Sequence, residues 1–311
     1  MTIYKYKDTG LLRKLCSIHA PSGEESAMKD FLLAYISENQ HRWKTRPEII
    51  EGEDLHDCIM LRFGSPRTAV FAHMDSIGFT VRYHDQLVAI GGPDTDGPHL
   101  LVGEDPLGPV ECCLRTTPEG HLFYDFPRAI ETGTSLVYKC NFRVTKDYIT
   151  SCYLDNRLGV YNALKLAETL EDGLIIFSTY EEHGGGSVPF LAKIMVEKYN
   201  VRQALISDIT WITDGVVPGK GVVISLRDRN IPRKTYLQKI LSAAVGSGLP
   251  HQLEVEGAGS SDGRELQQSP YAIDWCFIGA AEQNVHSPDE KVHRADIDSM
   301  IDMYKYLMKH L

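Results

Sequence analysis

The chain has 311 residues, 43% of them hydrophobic and 24% charged, which is an ordinary soluble globular composition with enough length for one large core or a core plus a small module. Its 32 basic and 42 acidic side chains leave a net charge of −10. That excludes no fold, but it argues against nucleic acid or an anionic membrane as a partner, since both require a basic face.

The opening MTIYKYKDTG has no basic run ahead of an apolar stretch, and no run of about 18 uncharged apolar residues occurs, so a cytoplasmic protein is expected. Residues 8–17 and 25–38 read as helices from the spacing of Leu11, Leu12, Leu15 and Cys16 and of Met28, Phe31, Leu32 and Tyr35. Between them, APSGEE is a turn that leads acidic residues into a helix start. Short strands follow at 57–63 and 68–74, and the second, TAVFAHMD, turns from apolar to polar at its carboxyl end. Residues 87–150 are rich in glycine and proline with short β-like pieces, the pattern of an inserted small β module. A helix at 156–171 restores an α/β rhythm. It continues with strands at 173–180, 203–209, 221–227, 251–255 and 271–278 and helices at 187–199, 233–247, 262–268 and 295–311. The expected fold is a three-layer α/β/α sandwich on a mostly parallel central sheet, with catalytic segments 1–86 and 151–311 and an inserted β domain at 87–150. The seven cysteines are odd in number and form no C-x-x-C pair, so they are expected as reduced thiols.

Five polar clusters fall at strand ends or in loops: His73-Met74-Asp75, Asp155-Asn156-Arg157, Glu181-Glu182, Asp208, and His286-Ser287-Pro288 with Glu290 and His293 following. Each has a plainer reading by itself. His73 can be a structural histidine, Asp155 an N-cap, Glu181-Glu182 a solvated turn, and Asp208 and His286 a cap or turn. Adjacent acids directly after an apolar strand and ahead of HGGGS are the least ordinary of these. One such carboxylate can coordinate a metal while its neighbour accepts a proton from activated water. Together the clusters bring oxygen and nitrogen donors, without sulfur, to the carboxyl ends of successive strands. That donor set suits two divalent cations, Zn²⁺ foremost, with Co²⁺ or Mn²⁺ as substitutes. No P-loop lysine follows the glycine-rich runs, and no G-x-S-x-G elbow occurs. His19, His84, His99, His121 and His251 are expected outside the site.

AHMDSIGF, LDNRLGV, STYEEHGGG, ISDIT and NVHSPDEKV resemble, in order and spacing, the site motifs of the glutamyl and deblocking aminopeptidases (the cellulase M group, metallopeptidase family forty-two). The resemblance runs from LCSIHAPSGEE to the last helix. It implies a zinc-peptidase sandwich with an inserted β domain, aminopeptidase action on short peptides, and a homo-oligomer. It also implies roles: His73 and Asp208 on one metal, Glu182 and His286 on the other, Asp155 bridging both, Glu181 as general base and Asp75 supporting His73. Two features depart from the family pattern. The insert is shorter than usual, which bears on assembly, and His183 follows the paired acids where an apolar residue is usual. Arg157, Arg227 and Arg229 raise selection of acidic substrates against simple salt bridging. A related two-metal amidohydrolase acting on N-acyl amino acids or dipeptides is the alternative reading, with an inactive metal-binding scaffold behind it.

Overall fold

The computed structural model describes residues 4–311. Its eleven-stranded main sheet is built outward from four parallel strands. Gly173–Ser178 pairs with Ala69–His73, which pairs with Gln203–Trp211, which pairs with Asp274–Gln283, all in parallel. These central strands are buried on both faces, as near-continuous apolar runs require. Antiparallel strands extend the sheet on both sides. Ile59–Phe63 and Glu48–Ile50 lie beyond Gly173–Ser178, and Glu290–His293, Tyr148–Ser151 and Arg143–Val144 lie beyond Asp274–Gln283. Val222–Arg227 also pairs with Asp274–Gln283 and carries His251–Val255 on its far side.

The period-2 alternation of the strands sorts the core into two layers. Val70, Ala72, Ile175, Phe177 and Leu205 pack against helices Gly10–Cys16, Ser26–Asn39, Leu154–Ala167, Lys234–Ser247 and Arg294–His310. Their neighbours Ala69, Phe71, Leu174, Ile176 and Ile206 pack against Val188–Glu197 and Asp262–Gln268 on the opposite face. This is the three-layer α/β/α sandwich expected from the alternation of strands and helices.

The remaining strands close into an antiparallel barrel in the order Gly78–Val81, Gln86–Ile90, Leu122–Asp125, Gly108–Thr116, Leu100–Asp105 and Ser135–Tyr138. It has its own core, with Phe79, Leu101, Leu114 and Leu136 inside. The barrel strands begin at Gly78, ahead of residue 87, because closure pairs Phe79 with Leu136 across the chain. They end at Tyr138, ahead of residue 150, because Tyr148–Ser151 returns to the main sheet through Glu290–His293. Both limits are set by non-local pairing, which local periodicity does not carry. Gly103 belongs to this closure: a Cβ there would sit 2.5 Å from the Ser135 carbonyl oxygen.

Candidate active site

The parallel register carries polar residues to one edge of the sheet. Ser178 is level with His73, so the chain after Ser178 leaves the sheet beside that imidazole. Ile206 is level with Phe71, which brings Asp208 level with His73 on the other side. Tyr153, Tyr180 and His286 hold left-handed backbone at φ 63°, 64° and 66°. Such conformations in bulky residues are uncommon and cluster where the fold aims a functional side chain. Tyr153 and Tyr180 precede the acidic residues of the site, and His286 is itself one of its imidazoles.

The six residues opened by the sequence pattern converge. His73 Nε2 lies 3.3 Å from Asp155 Oδ1, 3.5 Å from Asp208 Oδ2 and 3.9 Å from Glu181 Oε2. His286 Nε2 lies 3.4 Å from Asp155 Oδ2 and 3.1 Å from Glu182 Oε2. Asp155 therefore turns one carboxylate oxygen to each imidazole. The His73 side chain is 1% exposed, whereas that of His286 is 32% exposed.

A supporting layer fixes these groups. Asp75 Oδ1 lies 3.4 Å from His73 Nδ1. The same carboxylate accepts the Glu181 N–H at 3.2 Å, the Glu182 N–H at 3.1 Å and the Ser22 hydroxyl at 2.6 Å. Asp75 thus orients the histidine and also pins the turn that carries both glutamates. Ser261 donates its hydroxyl to Asp208 Oδ2 at 2.6 Å. Glu290 accepts the Asp155 N–H at 3.1 Å and the His286 N–H at 3.0 Å, binding two site residues to one carboxylate. His286 Nδ1 lies 3.1 Å from the Gly92 carbonyl oxygen, which fixes the proton on Nδ1 and leaves Nε2 facing the carboxylates.

Charge in this cage is unbalanced. Burial pushes the His73 imidazole down, but Asp208, Asp155 and Asp75 outweigh it and hold its pKa well above the usual histidine value. His286 behaves likewise, burial being overcome by Asp155 and Glu182, and reaches about 12. Burial and the neighbouring Asp155 carboxylate push Glu182 up to about 7. Burial, with Glu182 and Asp208 adding to it against the pull of His73, raises Glu181 well above the carboxylate range. Glu182 Oε1 is buried without a hydrogen-bond partner. Glu181, Glu182 and Asp208 are thus pushed toward their protonated forms, whereas the two facing imidazoles overcome burial at Asp155 and hold it below the usual carboxylate range. The donor set, all oxygen and imidazole nitrogen, fits hard-to-borderline divalent metals. His73, Asp155 and Glu182 can each offer one donor atom with all three atoms within 4.8 Å of one another.

Several residues take roles other than those the sequence suggests. Arg157 is fully buried and offers nothing to a substrate; its guanidinium donates to the Met74 carbonyl, and to those of Asp75 and Ala20 at 3.4 Å each, holding the loop behind His73. His293 is an N-cap, its Nδ1 accepting the Ala295 N–H at 3.2 Å. His183 accepts the Gly91 N–H at 2.9 Å and so ties the Glu181–His183 turn to the barrel. Glu25, read from sequence as a helix-dipole acid, is buried and accepts the Gly23 N–H at 2.9 Å and the Tyr180 N–H at 3.3 Å. Ser261, and Asp262, which accepts the hydroxyl of Ser178 beside His73, carry no mark in the sequence beyond the Ser-Ser-Asp start of a helix behind a strand. All seven cysteines are free thiols. A cavity of about 280 Å³ opens onto Asp155, Glu181, Glu182, Asp208 and His286.

A family model described as M42 glutamyl aminopeptidase matches residues 126–303. The chain belongs to this family. M42 membership makes it a hydrolase, a metallopeptidase of the aminopeptidase type. A relative from Acetivibrio thermocellus, bearing a provisional aminopeptidase name, is 24% identical over 94% of this chain and 96% of its own length. The fold is shared with aminopeptidase APDkam598 of Desulfurococcus kamchatkensis, at TM-score 0.83 and 22% identity over 97% of this chain and 94% of that one. It is also shared with the Pyrococcus horikoshii TET1 peptidase, which can assemble into a tetrahedron or a large octahedral shell, at TM-score 0.79 and 20% identity over 95% and 97% of the two chains. No helix among the described residues of this M42 chain is long and apolar enough to cross a membrane.

Proposed function

We propose that the chain removes N-terminal residues from short peptides with two divalent cations held in the cage, one by His73 and Asp208 and one by Glu182 and His286, with Asp155 bridging. The observation that carries this reading is Asp155, whose two oxygens each face a separate imidazole at 3.3 Å and 3.4 Å. Zn²⁺ fits the donor set, with Co²⁺ or Mn²⁺ as substitutes. Two cations bound there supply Lewis acidity, lowering the pKa of water toward about 7 and polarising the scissile carbonyl.

The chain's own residues do the rest. Glu181 is the general base: it takes the water proton and returns it to the leaving amine. Its carboxylate is 3.9 Å from the nearer imidazole, farther than the four assigned ligand contacts, which suits a group that moves a proton rather than holding a metal. Asp75 keeps the Glu181 backbone in place and orients His73. Gly92 fixes the His286 ring so that Nε2 is the liganding atom.

The sandwich is the catalytic part and the barrel the assembly element of a homo-oligomer. Leu107 at 77% exposed, Tyr83 at 51% and Val88 at 49% leave apolar barrel surface for a second copy to cover. The experiment is metal analysis with an activity panel on the purified chain. Two equivalents of Zn²⁺ per chain and hydrolysis of aminoacyl-p-nitroanilides are expected. A single equivalent overturns the two-cation cage, and cleavage of N-acyl amino acids alone overturns the aminopeptidase reading in favour of the related two-metal amidohydrolase. Light scattering that returns a monomer removes the assembly role of the barrel.

A further inference from the structure

The cavity beside the cage is too small for folded polypeptide and of a size for one side chain. Its inner end is the catalytic cage. Its outer wall combines two chemistries. Trp211 and Phe277 supply flat apolar surface, while Ser225, Asp228, Glu254 and Glu256 supply oxygens. No lysine or arginine lines it.

The acidic wall is built rather than solvated. Glu254 is 4% exposed, and its Oε1 accepts the Thr210 hydroxyl at 2.5 Å. Asp228 is 8% exposed and accepts from the Asn230 backbone and, at 3.2 Å, from the Asn230 side chain. Among the described residues, none of the three carboxylates has a lysine, arginine or histidine nitrogen within 4.0 Å. A carboxylate taken out of water without a counter-ion is costly, and burial accordingly pushes both Glu254 and Asp228 above the usual carboxylate range. A second observation concerns the same wall. Ser225 lines this cavity, and its buried hydroxyl makes no hydrogen bond within 3.5 Å while lying close enough to Glu254 to offset part of the effect of burial there. Such a group is expensive to leave unmade.

Arg227 does not reverse the sign of the wall. Its Nε donates to the Asp228 carbonyl at 3.1 Å and the Glu256 carbonyl at 3.2 Å, so it braces the backbone that carries two of the acids. Trp211 stays 43% exposed, offering a face on which an aliphatic stem can lie and a π surface that attracts a cation.

We infer that this cavity receives the side chain of a cationic N-terminal residue, lysine or arginine, with the stem against Trp211 and Phe277 and the charge met by Glu254 and Asp228. The inference rests on the aminopeptidase reading above and adds the substrate class to it. An acidic N-terminal residue, as the glutamyl name of the family model suggests, meets a wall of its own sign.

The test compares kcat/KM of the zinc-loaded chain on lysyl-, arginyl-, norleucyl- and glutamyl-p-nitroanilide. Norleucine keeps a lysine-like stem without the charge. Lysyl and arginyl substrates are expected to exceed norleucyl by roughly 30-fold or more, the effect of satisfying a buried charge partner, and glutamyl to be the poorest. In Glu254→Gln and Asp228→Asn the lysyl-to-norleucyl ratio is expected to fall roughly 30-fold. Because the ratio is internal to each protein, a loss of folded fraction does not mimic it, and the wild-type ratio decides even where a variant fails to fold. A wild-type ratio near one, or a preference for glutamyl, overturns the inference while leaving the aminopeptidase reading standing. Unchanged ratios in both variants overturn the assignment of Glu254 and Asp228. A wild-type chain inert on all four substrates removes the aminopeptidase reading and this inference with it.

Discussion

The two imidazoles of the centre are held in different ways. His73 ends a buried parallel strand, is 1% exposed, and is backed by Asp75, which also grips Ser22 and the Glu181-Glu182 turn. His286 sits in a loop, is 32% exposed, and depends on the Gly92 carbonyl and the Glu290 carboxylate for its orientation. The first half of the cage is shaped by the sheet, the second by loops that meet only when the barrel and the carboxy-terminal segment are in place. Water reaches the second half more readily, so its cation exchanges faster on the proposed assignment. On the proposed assignment, rigidity and access are divided between two ligand sets that share Asp155.

The largest effect tests the group that belongs to neither half. Glu181→Gln is expected to lower kcat by about 10²- to 10⁴-fold with metal content unchanged, read by steady-state kinetics beside elemental analysis. Loss of a metal equivalent in this variant makes Glu181 a ligand instead. Next comes the contrast itself. His286→Ala is expected to keep one tightly held equivalent, and timed chelation of the wild type to release its metals in two phases. Release of both in one phase erases the distinction between the halves. Ser261→Ala and Glu290→Gln probe the supporting layer, each expected to cost about 10- to 100-fold in affinity at the half it supports. Calorimetric titration that finds equal loss at both sites for Ser261→Ala removes the assignment of Asp208 to the His73 side.

The smallest effect concerns Glu25, which lies behind the buried half. Burial raises its pKa from 4.5 to about 7. The folded protein therefore keeps a proton that the unfolded chain gives up. Its contribution to stability is complete below pH 4.5 and is lost as pH climbs through about 7. Glu25→Gln is expected to flatten the fall in Tm over that window relative to wild type. Parallel Tm-versus-pH curves for the two proteins show that Glu25 has no such role.

Much of the sandwich was legible because its elements obey local periodicity. The helix at 262–268 and the strand at 251–255 have the limits expected of them. The strand expected at 271–278 runs instead over Asp274–Gln283, because Ala280 and Ala281 continue its buried apolar run. The barrel was legible only as β-rich chain. Its closure through Phe79 and Leu136 is a pairing between segments that carry no local mark of one another.

Sequence alone determined the kinds of side chain at the site and their order: two imidazoles, four carboxylates and no sulfur, each delivered where an apolar strand or a loop ends. That information is local, since strand ends and residue types are properties of short windows. Only the tertiary structure decided how Asp155 is turned, that Arg157 is a buried brace rather than a substrate contact, and that Asp228, Glu254 and Ser225 face one cavity. The last of these depends on strand 274–283 pairing with both 203–211 and 222–227, and on 251–255 pairing with 222–227, and the pairing of distant strands is not written in the periodicity of any one of them.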